Sequence, residues 1–211
     1  MENRRGLFIT LTGIDGSGKS TLAPGLAALV RDQFGPCLVA ESKDDFVVTI
    51  CQTVGEGSDP RSFFGAYAFD FAKAFDAVRD HFVRVEPHLA QGTSVVVPRS
   101  ADCRLGIAAT HHNDNLQNIE KILGVIPAPD LTLRLKVDSL VAAQRVLERG
   151  IDEEEADHLA RFSGALDELG KRRNWMEIDA SGSPGSILQA AKGALMPLFQ
   201  AASSRSRITS S

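Results

Sequence analysis

The chain has 211 residues, 43% of them hydrophobic and 24% charged, with a formal net charge of −4. That length predicts one domain, able to bury about 70% of the surface its unfolded chain exposes. The acidic balance argues against a nucleic acid polymer or an anionic membrane as the main partner, since both demand a basic surface, and no apolar run approaches the ~18 residues of a membrane span.

Arg4 and Arg5 are followed at once by the apolar run Leu7-Phe8-Ile9-Thr10-Leu11, which reads as a strand and not as a signal peptide. Next comes Gly13-Ile14-Asp15-Gly16-Ser17-Gly18-Lys19-Ser20, a match to G-x-x-x-x-G-K-[ST], and then a helical segment, Thr21 to Gln33. In that strand–loop–helix setting the pattern is a phosphate cradle. Gly13, Gly16 and Gly18 let backbone N–H groups, those of Ser17 and Thr21 included, converge on the phosphates of ATP. The helix N-terminus adds positive potential, Lys19 neutralises charge, and the Ser20 hydroxyl can ligate Mg²⁺. A carboxylate is repelled by bound phosphates, so Asp15 should turn outward, toward an acceptor or a metal-bound water. Its bland alternative is a turn residue bonded to its own backbone.

A second strand is expected at Cys37–Glu41, with Glu41, Asp44 and Asp45 as candidates to face an acceptor. Thr53 to Pro60 reads as a loop. Arg61 to Leu89 then carries Phe63, Phe64, Tyr67, Phe69, Phe71, Phe75 and Phe82, a high density in a chain only 6% aromatic. Core packing is their expected role, with stacking on an acceptor base or walling a pocket as the alternative. Ser94–Pro98 has the continuous apolar character of a central strand covered on both sides. Arg99 lies just past its C-terminal end, the edge where ligands gather in open parallel sheets; otherwise it is a surface arginine. His111-His112 lacks the carboxylate or cysteine spacing that would complete a metal site.

Leu131–Val137 alternates apolar and polar residues, so one face of that strand is expected to meet water or polar groups. The helix starting near Asp138 places Arg145 and Arg149 four apart, to point together toward Gly150–Asp157 and close over phosphates, or to pair with Glu148 or the acidic run. Gly150 to Arg173 has an acidic start and a helical pattern. Trp175–Asp179 is a fifth strand, and Ile187, Leu188, Ala191, Leu195 and Leu198 form an apolar stripe on a closing helix. The serine-rich tail from Ala201 reads as frayed. Cys37, Cys51 and Cys103 lack metal spacing and read as buried free thiols in a reducing cytoplasm. Strands alternating with helices predict an α/β fold, five parallel strands with helices on both faces.

With these residues in hand, the chain resembles the thymidylate kinases, within the P-loop nucleoside monophosphate kinases. Phe8 through Leu22 looks like that family's opening strand and loop. Glu86-Pro87-His88-Leu89-Ala90-Gln91-Gly92 is similar to its P-x-L-A-x-G. Asp130 to Asp138, running to Glu148-Arg149-Gly150, resembles its fourth strand and the helix leading into a lid, about residues 150–160. Trp175 to Gly182 resembles the last strand and the loop bordering the donor adenine, which places Ala180 there. The resemblance covers most of residues 6–199, a single kinase domain, and implies a homodimer. It places Arg99 on the acceptor phosphate, Asp15 on the acceptor sugar or metal, and Arg149 in the lid. Phe69 and Lys73 fall at ring-stacking and base-contacting positions, although the spacing to Pro87 is one helical turn too long.

Three departures lie on the acceptor side. Pro98 stands where the family has the aspartate of an Asp-Arg pair, the Arg-Glu-Pro-Gly-Gly stretch is absent, and the tyrosine and serines after Arg99 are replaced by Ser100 and the stretch through Arg104. Arg104 thereby becomes a substrate-binding candidate. The expected function is ATP-dependent phosphoryl transfer to a small acceptor, either a nucleoside monophosphate or a divergent phosphate, phosphonate or hydroxyl compound. The alternative is a nucleotide-binding module that no longer transfers phosphate. The chain contains no N-K-x-D motif, which argues against a GTPase.

Overall fold

The computed structural model describes residues 5–40, 46–54, 60–111, 113–150 and 155–208, the side chains of residues 66 and 201–208 excepted. Five strands, β1 (Phe8–Thr12), β2 (Cys37–Val39), β3 (Ser94–Val97), β4 (Leu131–Lys136) and β5 (Met176–Asp179), form one sheet in the order β2-β3-β1-β4-β5. Every pairing is parallel, with Phe8 opposite Val95, Thr10 opposite Thr132, and Leu135 opposite Ile178. After β2 and β3 on one side of β1, the chain crosses to the other side for β4, so strand order reverses at β1. In open parallel sheets that reversal opens a crevice at the carboxyl ends of the strands.

Ten α-helices are described: α1 (Lys19–Phe34), α2 (Phe46–Val54), α3 (Pro60–Phe64), α4 (Ala66–Asp80), α5 (Glu86–Ala90), α6 (Ala101–Thr110), α7 (Leu116–Leu123), α8 (Ser139–Arg149), α9 (Ala156–Gly170) and α10 (Pro184–Ile208). On one sheet face, Ile9, Leu11, Val96, Leu133 and Leu135 meet Leu22, Leu26 and Val30 of α1 and Ile187, Ala191 and Leu195 of α10. Each fully buried leucine there contributes about 1.5–3 kcal/mol. The opposite face packs against α4, α6, α7 and α9 through Ala74, Leu105, Ile119, Phe162 and Leu166. Alternation in β1 and β4 follows the two-residue strand period and divides the two cores.

The polar face of β4 meets polar groups, as expected: Thr132 hydrogen-bonds Thr10 at 2.9 Å, and Arg134 is 1% exposed, its guanidinium donating to Ser163 of α9. Only Lys136 of this strand, at its end, is exposed. Three local readings need correction. The span read as a loop from Thr53 has helix at both ends, because the apolar spacing Val47, Ile50, Cys51, Val54 carries α2 through Val54 and Pro60 opens α3; residues 55–59 lie outside the described residues. The aromatic segment is largely not core: Phe63, Phe64, Tyr67, Phe75 and Phe82 are exposed, and Phe71 alone of that set packs into the second core. A helix has only one buried stripe, and Ala74, Ala77 and Val85 occupy it. Finally, α10 continues through Ile208, into the segment read as a frayed tail.

Between α4 and α5 the helix carries a π segment, His81–Val85, within the stretch that is too long for the family pattern. A π turn absorbs extra residues without ending the helix, and it rotates the residues that follow.

Candidate active site

The loop from Gly13 to Gly18 joins the end of β1 to α1. Gly16 has φ 79°, and a Cβ there would come within 2.2 Å of the Ala142 carbonyl oxygen. The backbone of α8 therefore packs directly on the loop, and only glycine permits both the conformation and the approach. The first backbone bond of α1 runs from Leu22 N to Gly18 O at 2.9 Å, so the amides of Lys19, Ser20 and Thr21 precede the ladder. A Cβ on Gly18 would meet nothing within 4 Å, and Ser20 and Thr21 are exposed beside that open space. A phosphate chain fits this cradle.

Lys19 is 6% exposed and donates from Nζ to Gly13 O at 2.9 Å and Ile14 O at 2.7 Å. An ammonium has three donors, so a third remains for a phosphate oxygen. Burial, followed by the Arg99 charge, lowers its pKa to about 8. For magnesium, the Ser20 hydroxyl is exposed at the helix start, and among the described residues no group of three His, Cys, Asp or Glu side chains could hold a metal ion. Mg²⁺ fits here with nucleotide phosphates and water supplying its other ligands.

Asp15 turns away from the loop backbone. Its Oδ1 accepts from Arg99 Nη2 at 2.5 Å and lies 3.8 Å from Lys19 Nζ. Burial pushes this carboxyl up, but Arg99, Lys19 and Arg149 together hold it below the usual carboxylate range. The charge of Arg149 thus reaches the phosphate loop from the end of α8. Arg145 does not join it over the 150–157 segment. It donates to Ala180 O at 2.9 Å and Ser181 O at 3.1 Å, holding the turn after β5, because its position one turn earlier on α8 faces that turn. Glu148 instead accepts from Gln144. Residues 151–154 of the expected lid, and Glu41, Asp44, Asp45 and His112, lie outside the described residues. His111 bonds Asp70 at 3.0 Å, with Asn113 on the same carboxylate.

Beside the loop, between the β1–β3 edge and the α4–π segment, lies a cleft with about 640 Å³ of empty space, partly open to solvent. Phe8, Val97 and Ile126 give it apolar walls, while Arg99 from the β3–α6 connection, Arg104 from α6, and Asp80, His81 and Arg84 from the facing helix supply charge. Arg104 was flagged by the replaced segment after Arg99, and it lines this cleft. Lys73 is buried nearby, 3.9 Å from Asp76, and burial with the Arg104 charge lowers its pKa to about 7. Phe69 is not part of the cleft lining; the Arg61 guanidinium lies 5.9 Å from its ring centroid.

Two site residues escaped sequence reasoning. Cys103 sits under the loop, its sulfur 3.2 Å from Thr12 Oγ1 and 3.9 Å from Gly13 O. Burial raises its thiol pKa, but Lys19 and Arg99 outweigh this and bring it below the ordinary value. Arg134 lies in the same layer, close enough for its charge to depress Lys19. The signal for Arg134 was an arginine inside a strand. For Cys103 it was placement one turn past Arg99, with Ser100 as helix cap accepting from Cys103 N at 3.2 Å.

Comparison with known proteins agrees with the order of these parts. The family model described as "Thymidylate kinase" matches residues 11–190. The chain is 32% identical to a "Thymidylate kinase" of Ruegeria pomeroyi, over 71% of this chain and 72% of that protein. It is 28% identical to one of Synechococcus sp. strain CC9605, over 88% and 94%, and 25% identical to one of Solidesulfovibrio magneticus, over 92% and 100%. Phosphate loop, reversed strand order and matched length thus converge: this chain is a P-loop kinase and belongs to the thymidylate kinase family.

Proposed function

We propose that the protein transfers the γ-phosphoryl group of ATP to a small acceptor bound in the cleft beside Arg99. The observation that carries this reading is the Asp15–Arg99 pair, which joins the phosphate loop to the cleft lining. An acceptor oxygen attacks the γ-phosphorus, the bond to the β–γ bridging oxygen breaks, and ADP leaves with the electron pair. Lys19 and the helix amides hold the triphosphate and meet the charge spreading on the transferred group. Arg99 holds the acceptor, Asp15 fixes Arg99, and Arg149 adds charge from α8. When bound through Ser20 and the phosphates, Mg²⁺ supplies further charge neutralisation. Arg145 with Ala180 shapes the turn that borders the adenine.

The acceptor is a nucleoside monophosphate or a divergent phosphate, phosphonate or hydroxyl compound. Residues 1–200 act as one kinase domain in the cytoplasm, with a lid near 150–160. The exposed rings of α2 to α4, including Phe46 at 51% and Phe75 at 60%, support a homodimer through that face. Measuring ADP release across a panel of acceptors tests the reading. Tight ATP binding without turnover on any acceptor would overturn it in favour of a non-catalytic nucleotide-binding module, which Pro98 in place of a strand-end carboxylate favours.

A further inference from the structure

Among the described residues, one cation of the cleft is engaged by no hydrogen bond or ion pair. Arg104, one turn into α6, lines the cleft, and no hydrogen-bond acceptor or ion-pair partner among the described residues engages its guanidinium. The nearby carboxylates among the described residues each hold another cation, and Asp76 and Asp15 reach Arg104 only as charges at a distance. Asp15 holds Arg99; Asp76 is 2.9 Å from Arg79; Asp80 is 3.0 Å from Arg79 and 3.7 Å from Arg84. Arg104 and Arg99 stand near enough for Arg99 to depress Arg104, after burial, to about 10, and Arg104 in turn is the leading charge that depresses Lys73. Cations packed this way repel one another unless an anion lies between them.

We propose that the acceptor carries two anionic groups, one met by Arg99 beside the phosphate loop and a second met by Arg104 of α6 in the same cleft. This inference rests on the phosphotransferase reading and names its substrate class: a small phosphomonoester or phosphonate bearing a second carboxylate or phosphate. A guanidinium has five donors and no acceptor, arranged to take a carboxylate or phosphate in a fork. A neutral pyrimidine imide presents an N–H between its carbonyls, which a donor-only side chain leaves unpaired. The apolar walls of Phe8, Val97 and Ile126 strengthen an ion pair formed there by excluding water. In the transfer, the ionised oxygen held by Arg99 attacks the γ-phosphorus, so no proton need be removed.

Calorimetry on the full chain without ATP tests this, using ethyl phosphate, a series of phosphomonoesters with a carboxylate one to three carbons away, and thymidine monophosphate. At least one two-anion probe should bind about tenfold tighter than ethyl phosphate, as one charge-assisted contact requires, and tighter than thymidine monophosphate. Arg104→Met should erase that advantage, with Arg104→Lys retaining part of it, while both variants keep wild-type ATP affinity. Equal binding of one- and two-anion probes, a preference for thymidine monophosphate, or an advantage that survives Arg104→Met overturns the proposal. ATP affinity, measured separately, reports on the kinase reading itself. Its absence would sink that reading while leaving the two-anion result readable.

Discussion

Asp15 of the phosphate loop and Arg99 at the end of β3 form an ion pair of 2.5 Å that links the loop to the lining of the cleft. Asp15→Asn removes a negative charge from beside the phosphates and unpins Arg99. ATP should then bind as well as in the wild type or better, while kcat/KM for the acceptor falls about 10- to 100-fold, the equivalent of a charged hydrogen bond. Calorimetry with ATP and ADP-release kinetics separate the two effects. Weakened ATP binding with unchanged acceptor kinetics would remove the bridging role.

Gly16 is where α8 touches the loop. Gly16→Ala drives a methyl into the Ala142 carbonyl and leaves an alanine at φ 79°. The left-handed conformation and the overpacking together should cost roughly 2–5 kcal/mol of stability. Gly18→Ala, at φ 91° with nothing within 4 Å, should cost only the backbone part, about 1–2 kcal/mol. Denaturant unfolding of both variants checks the contrast, and equal losses would mean that the Ala142 contact yields freely.

The donor half of this site was legible because its chemistry is local. Gly13 to Ser20 are contiguous, and strand–loop–helix order fixes their geometry. Arg99 was legible as a strand-end residue and Asp138 as a helix start, where its side chain accepts from Leu140 N and Val141 N. What escaped depends on long-range packing. The alternation around Arg134 left open whether that face meets water or polar groups, and only the packing of α9 brings Ser163 and Asp167 to it. Cys103 looked like inert core, although its neighbours are Thr12, Lys19 and Arg99. The rings of α4 looked like core because composition does not say which helix stripe a residue occupies.

Lys19 predicts a proton linkage. Its pKa of about 8 reflects burial and the Arg99 charge, and bound phosphates favour the ammonium and raise it. Below pH 7 the free and bound forms are both protonated, so binding takes up little. Near pH 9 the free amine is mostly neutral, and ATP binding should take up close to one proton. Affinity should therefore fall as pH rises past about 8. Calorimetry in buffers of differing ionisation heat measures the uptake. Lys19→Met should abolish it, and uptake that persists in this variant would assign the proton elsewhere.

Phe75 of α4, at 60% exposure, leaves apolar surface on the face proposed for self-association. If that face buries against a second copy, the wild type sediments as a dimer. Phe75→Glu should shift it to monomer with a stability change within about 0.5 kcal/mol per folded chain, as for a surface substitution. A monomeric wild type, or a dimer indifferent to Phe75→Glu, would place any self-association on another face.

Lys73 carries a stability cost that depends on pH. It is 6% exposed, and its pKa is lowered to about 7 by burial and Arg104, so folding disfavours its charged form. The unfolded chain keeps this lysine protonated to near 10.5, and between these two values it binds more protons than the native state. Stability therefore rises with pH across that window, and the penalty is greatest below pH 7. Lys73→Met should raise Tm most at pH 6, with the gain shrinking as pH approaches 10. It should also weaken binding of anionic acceptors, since removing a cation beside Arg104 relaxes the repulsion that an anion would relieve. A Tm gain that grows with pH would contradict the sign of this linkage. A gain with no loss of acceptor affinity would make Lys73 a packing residue alone.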